Sequence, residues 1–434
     1  ALDALRAGWR SQWVASVGLA PWTLLCFQQV SLVGLLANAW AIPLVTLAIT
    51  PLALAGLVWA PLWTLGAALV EAMMAALEVM ARWPGASWSA AVAPLWCQAA
   101  ALIGALLLVW PLPLRVRVWG ALLMLPMLAP PLDRPAVGEF ELLAADVGQG
   151  TAVLLRTQGH TLLYDAGGRY ASDADAGSRV LTPLALAEGV GRLDLLLLSH
   201  RDGDHIGGAS ALLRQPGAWR ILSSLEPLHP LRASVPHQPC MAGQVWVWDD
   251  VRFEILHPRE REYERASQRL LPSNGLSCVL RVQGRRAAAL LTGDIEREQE
   301  QRLVTDHADA RQDLHADVLL VPHHGSRTSS SDAFLQAVAP RIAVAQLGWR
   351  NRYGHPAAEV EARYRDRAIA WLRTDHCGAW RWRSDDPPTA LGRCERAQRR
   401  RYWHAPVWGD GPGSRAGSSG LELAKDPAFT PTIP

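Results

Sequence analysis

Ser199 to Gly208, SHRDGDHIGG, sets His200, Asp202, Asp204 and His205 within six positions. The cluster follows directly on the apolar run from Leu193 to Leu198. Two imidazoles and two carboxylates offer nitrogen and hard oxygen donors without a thiolate, a set suited to divalent metal ions. Gly203, Gly207 and Gly208 let the following loop fold tightly around such a centre. A strand that fixes the backbone before a ligand-rich loop favours a catalytic metal site over a solvated polar turn.

Three further runs end alike. Thr161 to Tyr164 leads into Asp165, Ala287 to Thr292 into Gly293-Asp294, and Asp317 to Val321 into Pro322-His323-His324-Gly325-Ser326. Singly, Asp165 or Asp294 reads as a helix cap or turn residue. Together they deliver an aspartate or histidine at the C-terminal end of strand after strand, where α/β layered folds place their sites.

The elements that must position these groups follow from pattern. Phe140 to Val147, Ala152 to Thr157 and Cys278 to Val282 read as strands, and a helix is expected around Ser178 to Glu188. Strands alternating with helices give an α/β class without specifying a sandwich. The order of parts is residues 1–132 helical, 133–138 a linker, 139–384 the α/β domain, and 385–434 a basic extension. From Trp403 periodicity is lost, and Gly411 to Gly420 is rich in Gly and Ser, as disordered tails are.

Before Asp133 the ionised residues are Asp3, Arg6, Arg10, Glu71, Glu78, Arg82, Arg115 and Arg117 alone. Apolar stretches of about 18 residues or more can cross a bilayer, and crossings are expected at 13–31, 32–60, 62–81, 95–112 and 117–131. The second is over-long and holds Pro43 and Pro51, so a broken or re-entrant segment is expected. Whether Glu71 and Glu78 line a polar path or face a neighbouring helix stays open. Arg6, Arg10, Arg115 and Arg117 place two loops in the cytoplasm by the positive-inside rule, which sends the α/β domain outside; Arg82 is out of place.

Residues from about 139 to 384 resemble the metallo-β-lactamase superfamily. The ligand loop follows its H-x-H-x-D-H pattern with Asp202 at the second histidine. With DVGQG (146–150), LLTGD (290–294), PHHGS (322–326) and YGHP (353–356), the chain is similar to one branch, the ComEC family of inner-membrane DNA-uptake channels in naturally competent bacteria. Leu5 to Val45 resembles the last part of that family's channel region. In the family further helices and a binding domain come first, so the chain is read as a C-terminal portion or a product shortened at the front.

The resemblance implies an αββα sandwich and two divalent ions, Mn²⁺ or Mg²⁺ ahead of Zn²⁺ because Asp202 hardens the first site. It implies that His200 and Asp202 serve one ion, Asp204 and His205 the other, that Asp294 bridges, and that His323 or His324 completes the set. Asp165 would orient a ligand histidine. Asn274 stands where many members have another histidine. Ser326 and His355 would meet the scissile phosphate or the leaving oxygen, although His355 reads equally as a turn residue before Pro356. The implied partners are DNA, the inner membrane and other uptake proteins; self-association stays open. The implied activity is degradation of the strand that is not imported. The rivals are a phosphodiesterase on other substrates and a DNA-binding channel component without catalysis.

Two further patterns bear on this. The segment 341–401 is rich in arginine, ending in Arg399-Arg400-Arg401, with Trp349, Trp371, Trp380 and Trp382 between. Arginine with aromatic planes suits phosphate and exposed bases, and a solvated face or lipid head groups suit it equally. Cys240, Cys278, Cys377 and Cys394 are an even set compatible with disulfides outside the cytoplasm, with Cys377–Cys394 the preferred pair.

Overall fold

The computed structural model describes residues 2–268, 271–307 and 314–398. Arg399, Arg400 and the Gly/Ser-rich stretch therefore lie outside the described residues. The N-terminal part is five helices: α1 (Leu2–Phe27), α2 (Gly34–Ala55), α3 (Pro61–Ala81), α4 (Leu95–Val109) and α5 (Leu114–Leu128). The expected break in the second does not occur. A π-helical turn over Val45–Ile49 carries the chain past Pro43 and Pro51 without leaving the helix.

A helix takes up most of each expected crossing, the first giving way to a short strand at Gln29–Ser31, but among the described residues only α2 and α3 are both long and apolar enough to span a bilayer. α4 and α5 have 15 residues each, or about 22 Å at the usual rise, short of a ~30 Å hydrocarbon core. They form a hairpin in which Gly104 and Gly120 bring the backbones together. A Cβ at Gly104 would lie 2.5 Å from the Gly120 carbonyl oxygen, and one at Gly120 would lie 2.7 Å from that of Gly104. Glu78 meets Arg82 one turn on, at 3.5 Å, so its partner is on its own helix.

The α/β part stacks two sheets. The first contains β1 (Glu141–Ala144), β2 (Val153–Arg156), β3 (Thr161–Tyr164), β4 (Leu195–Leu198), β5 (Ile221–Ser223) and β6 (His237–Pro239). The second contains β7 (Val245–Trp248), β8 (Val251–His257), β9 (Val279–Gln283), β10 (Ala288–Leu291), β11 (Val318–Leu320), β12 (Ile342–Ala345) and β13 (Ala370–Arg373). The chain then returns to the first sheet with β14 (Trp380–Arg383) and β15 (Arg393–Cys394). Strand orders are β6-β5-β4-β3-β2-β1-β14-β15 and β7-β8-β9-β10-β11-β12-β13. In both, an antiparallel side passes into a parallel side, at β3–β4 and at β10–β11.

Side-chain alternation sorts the residues into three layers of core. Leu142, Leu155, Leu162 and Leu197 meet Phe253, Leu280, Leu291 and Val344 between the sheets. Leu143, Leu154 and Leu196 face outward onto the helical run 177–187 and the helix Ala209–Arg214. Leu290, Leu319 and Ala343 lie under the helices Arg297–Asp306, Asp332–Val338 and Ala358–Asp366. This is the αββα sandwich that the resemblance implies.

Where the helical part meets the sandwich, the backbone N–H of Val92 donates to the Ala187 carbonyl at 2.9 Å. Beside it four charges interlock, Arg156 and Glu141 buried and Glu188 and Arg381 half-buried. Arg156 meets Glu141 at 2.5 Å and Glu188 at 2.8 Å, while Arg381 reaches Glu141 at 2.7 Å and also Glu188. Cys377 and Cys394 are joined as preferred, and Cys240 is joined to Cys278 as well.

Candidate metal centre

Each of the four apolar runs singled out in the sequence becomes a strand, and the residues just past their ends converge. Asp204, His205, Asp294 and His324 each bring a ligand atom, all within 4.8 Å of one another. His205 Nε2 is 3.2 Å from Asp294 Oδ1, and His324 Nε2 is 3.4 Å from Asp204 Oδ2 and 3.7 Å from Asp294 Oδ1. Two residues come from the first sheet and two from the second.

The donor atoms fit divalent ions. Nε2 of His200, His205 and His324, and Oδ1 of Asp294, are buried with no hydrogen-bond partner. Polar atoms left without partners in an interior are costly. Those of His205, His324 and Asp294 face one another beside the Asp204 carboxylate, and they make a cradle that a cation satisfies.

Each ligand is held from behind. Asp165, in the left-handed region at φ 60°, accepts from Ser199 N at 2.6 Å and Ser199 Oγ at 2.8 Å and meets His205 Nδ1 at 2.7 Å. His324 Nδ1 donates to the Gln346 carbonyl at 2.9 Å, which leaves Nε2 facing the cluster. Gly150 permits a close approach: a Cβ there would sit 2.4 Å from the Asp204 carbonyl oxygen. His323 and His324 are both left-handed, at φ 50° and 53°, and the tight turn sends one ring inward and the other toward solvent.

Electrostatics follow from the crowding of charge. Burial alone would push the His205 imidazole down, yet the carboxylates of Asp294 and Asp165 hold it well above its ordinary value. His324 is raised in the same way against its burial, by Asp294 and by its bond to Asp204. Burial would raise Asp204 and Asp294, and the surrounding imidazoles hold both far below the carboxylate range.

The remaining expected residues are placed as follows. His200 Nε2 lies 3.6 Å from Asp202 Oδ2, and its ring centroid is 4.2 Å from that of His205. The pair therefore stands beside the four-residue group. Of the two histidines, His324 is the buried one that joins the cluster; His323 is 21% exposed, with Nε2 3.8 Å from Asp294 Oδ2 and Nδ1 3.4 Å from Glu296. Asn274 is bonded to Glu296 at 3.4 Å and approaches His323 at 3.5 Å. Ser326 Oγ meets Thr328 Oγ1 at 3.2 Å within its own turn and makes no bond to a ligand residue. The His355 ring centroid is 6.0 Å from that of His323. Asp165 is wholly buried behind His205.

Ser199, Gln346 and Glu296 also border the cluster, and no motif in the sequence singles them out. Ser199 ties Asp165 to His200 Nδ1, at 3.0 Å. The Gln346 side chain bonds Ala145 and Ala152 across the sheets, at 2.8 and 2.9 Å. Of the tryptophans in the arginine-rich segment, Trp380 and Trp382 are core residues, Trp371 packs on Tyr364 at 4.7 Å, and Trp349 alone is exposed.

Comparison with known proteins matches the two parts of the chain separately. Residues 2–115 match the competence protein family, and residues 145–349 match the metallo-beta-lactamase superfamily. Competence protein ComA of Neisseria gonorrhoeae is 38% identical over 372 residues, 85% of this chain and 50% of that protein. The uncharacterized protein YcaI of Escherichia coli K12 is 30% identical over 378 residues, 83% of this chain and 46% of that protein. ComE operon protein 3 of Bacillus subtilis 168 is 32% identical over 268 residues, 57% of this chain and 33% of that protein. The chain spans about half the length, or less, of these curated relatives.

Proposed function

Residues 2–115 belong to the competence protein family and residues 145–349 to the metallo-β-lactamase superfamily, and from that pairing we propose a membrane-tethered, metal-dependent phosphodiesterase that degrades the non-imported DNA strand during uptake. The observation that carries the reading is the convergence of Asp204, His205, Asp294 and His324, with their unpartnered buried atoms, on one point.

Asp204, His205, Asp294 and His324 would hold one divalent ion, and His200 and Asp202, beside them, would help to hold a second. Mn²⁺ or Mg²⁺ suits so carboxylate-rich a set better than Zn²⁺. When bound, such ions supply Lewis acidity and make water acidic enough to attack phosphorus near neutral pH. Asp165 fixes the His205 tautomer, and the Gln346 carbonyl does the same for His324. His355, whose ring centroid is 6.0 Å from that of His323, would hand a proton to the leaving oxygen, and Asn274, 3.5 Å from His323, would contact substrate. The α/β domain lies on the extracytoplasmic side of a multi-pass inner-membrane protein, a placement supported by its two disulfides. Its partners are DNA, the membrane and other uptake proteins.

The test is cleavage of linear DNA by the full chain in detergent with Mn²⁺. Metal-dependent cutting that disappears in Asp204→Ala and Asp294→Ala is the expected result. DNA binding without any cutting would favour a channel component, and hydrolysis confined to small phosphodiesters would favour a different substrate.

A further inference from the structure

Beside Asp204 a groove of about 770 Å³ opens to solvent, and its rim carries Tyr170, Trp349 and Tyr353 with Arg169 and Arg352. The three aromatic residues are 47%, 49% and 53% exposed. Three large aromatic side chains this exposed within one cleft form a patch of the kind that marks a binding groove, whereas Trp219, at 60%, stands outside it.

The loop is braced to present them. Gly348 N donates to Gln149 Oε1 at 3.2 Å, and Asn351 closes the loop by bonding the His355 carbonyl at 2.7 Å and accepting from His355 N at 3.0 Å. Tyr170 is anchored through its hydroxyl to the Val147 carbonyl at 3.0 Å. Cations accompany the rings: Arg350 lies over Trp349 at 4.4 Å and Arg352 over Tyr353 at 5.0 Å. Among the described residues, Arg169, Arg350 and Arg352 form no ion pair with a carboxylate, whereas Arg156, Arg381 and Arg383 are each committed to acids.

The rings also lead to the metal centre. Tyr353 stacks on His355 at 5.9 Å and 14°, His355 stands edge-on to His323 at 6.0 Å, and His323 Nε2 is 3.8 Å from Asp294. A ladder of flat groups thus runs from solvent to the ligand cluster.

We infer that this groove is a stacking platform for unpaired nucleotides, which holds the bases of a single strand on Trp349, Tyr353 and Tyr170 while the arginines meet its phosphates. A base offers a π-face only when it is out of the duplex, and stacking on aromatic side chains tolerates any sequence. Duplex DNA buries those faces and would meet the arginines alone. The inference rests on the phosphodiesterase reading for its substrate class and adds to it a preference for unpaired DNA.

The experiment measures binding apart from cutting. Fluorescence anisotropy of the full chain in detergent, with metal chelated, compares a short thymidine oligonucleotide with an abasic strand of the same length. Trp349→Ala and Tyr353→Ala are each expected to weaken binding of the base-bearing strand about tenfold and to leave the abasic strand unaffected, with Trp349→Phe close to wild type. Equal losses on both strands, or no loss on either, would overturn the platform. If the base-dependent loss is seen while the wild type with Mn²⁺ cuts nothing, the platform stands and the phosphodiesterase reading fails.

Discussion

The Asp165 carboxylate lies 2.7 Å from Nδ1 of His205, and neither side chain reaches solvent. That contact decides which ring nitrogen carries the proton. In Asp165→Asn the left-handed backbone is tolerated and the bond from Ser199 N survives. The new amide then offers N–H groups to Nδ1, which moves the imidazole proton to Nε2 and blocks it as a ligand. Metal affinity should fall by about ten- to a hundredfold, measured by titration with Mn²⁺. An unchanged affinity would remove Asp165 from the positioning role.

Asp294 sits among three imidazoles, and its loss should uncouple metal from stability. A ligand present at a hundred times its dissociation constant stabilises by about 2.7 kcal/mol. Mn²⁺ should therefore raise the melting temperature of the wild type, and a chelator should reverse it. Asp294→Ala should melt at the same temperature with or without the ion.

Gly104 and Gly120 leave no room for a methyl group between α4 and α5. Gly104→Ala should cost about 1–3 kcal/mol by overpacking, read as a lower melting temperature in detergent. A melting temperature equal to wild type would mean that the hairpin separates at no cost.

Glu188 gives the sandwich an acid limit. Burial would raise its carboxyl, but its bond to Arg381 and the charge of Arg156 hold it below the ordinary glutamate value. A folded value below the unfolded one contributes stability above the unfolded value, and that contribution is lost as pH falls through the folded value. Urea midpoints should drop on acidification through that window. Glu188→Gln should be less stable at neutral pH and show a flatter acid limb; parallel curves for the two proteins would reject the linkage.

The Cys377–Cys394 bridge closes a loop spanning 17 positions, for which the chain-entropy estimate is about 3 kcal/mol. It pins β15 to the edge of the first sheet. Double replacement by Ser should expose residues 385–398 to limited proteolysis while sparing the rest of the sandwich. Resistance equal to that of the wild type would mean that pairing with β14 suffices.

Much of the site was legible because its ligands sit in contiguous motifs at strand ends, where donor type and apolar run are read together. The choice between His323 and His324 was not, since it depends on two left-handed residues that turn adjacent rings apart. Ser199 and Gln346 stayed hidden because serine and glutamine are common and their work is done across the fold, Gln346 by bonding a different sheet. The arginine–tryptophan segment misled through composition. Trp380-Arg381-Trp382-Arg383 alternates with period two, which puts both tryptophans in the core and both arginines on acids. The prolines of α2 misled by their usual meaning, since a π turn absorbs them.

Because Asp204 and His205 come from the first sheet and Asp294 and His324 from the second, the centre exists only when the two halves have met. A ribosome must have passed residue 324 before the last of these donors is even made. A nascent or half-folded chain therefore lacks the cluster, and a nick that parts the sheets dissolves it. Assembly of the cluster and completion of folding become one event.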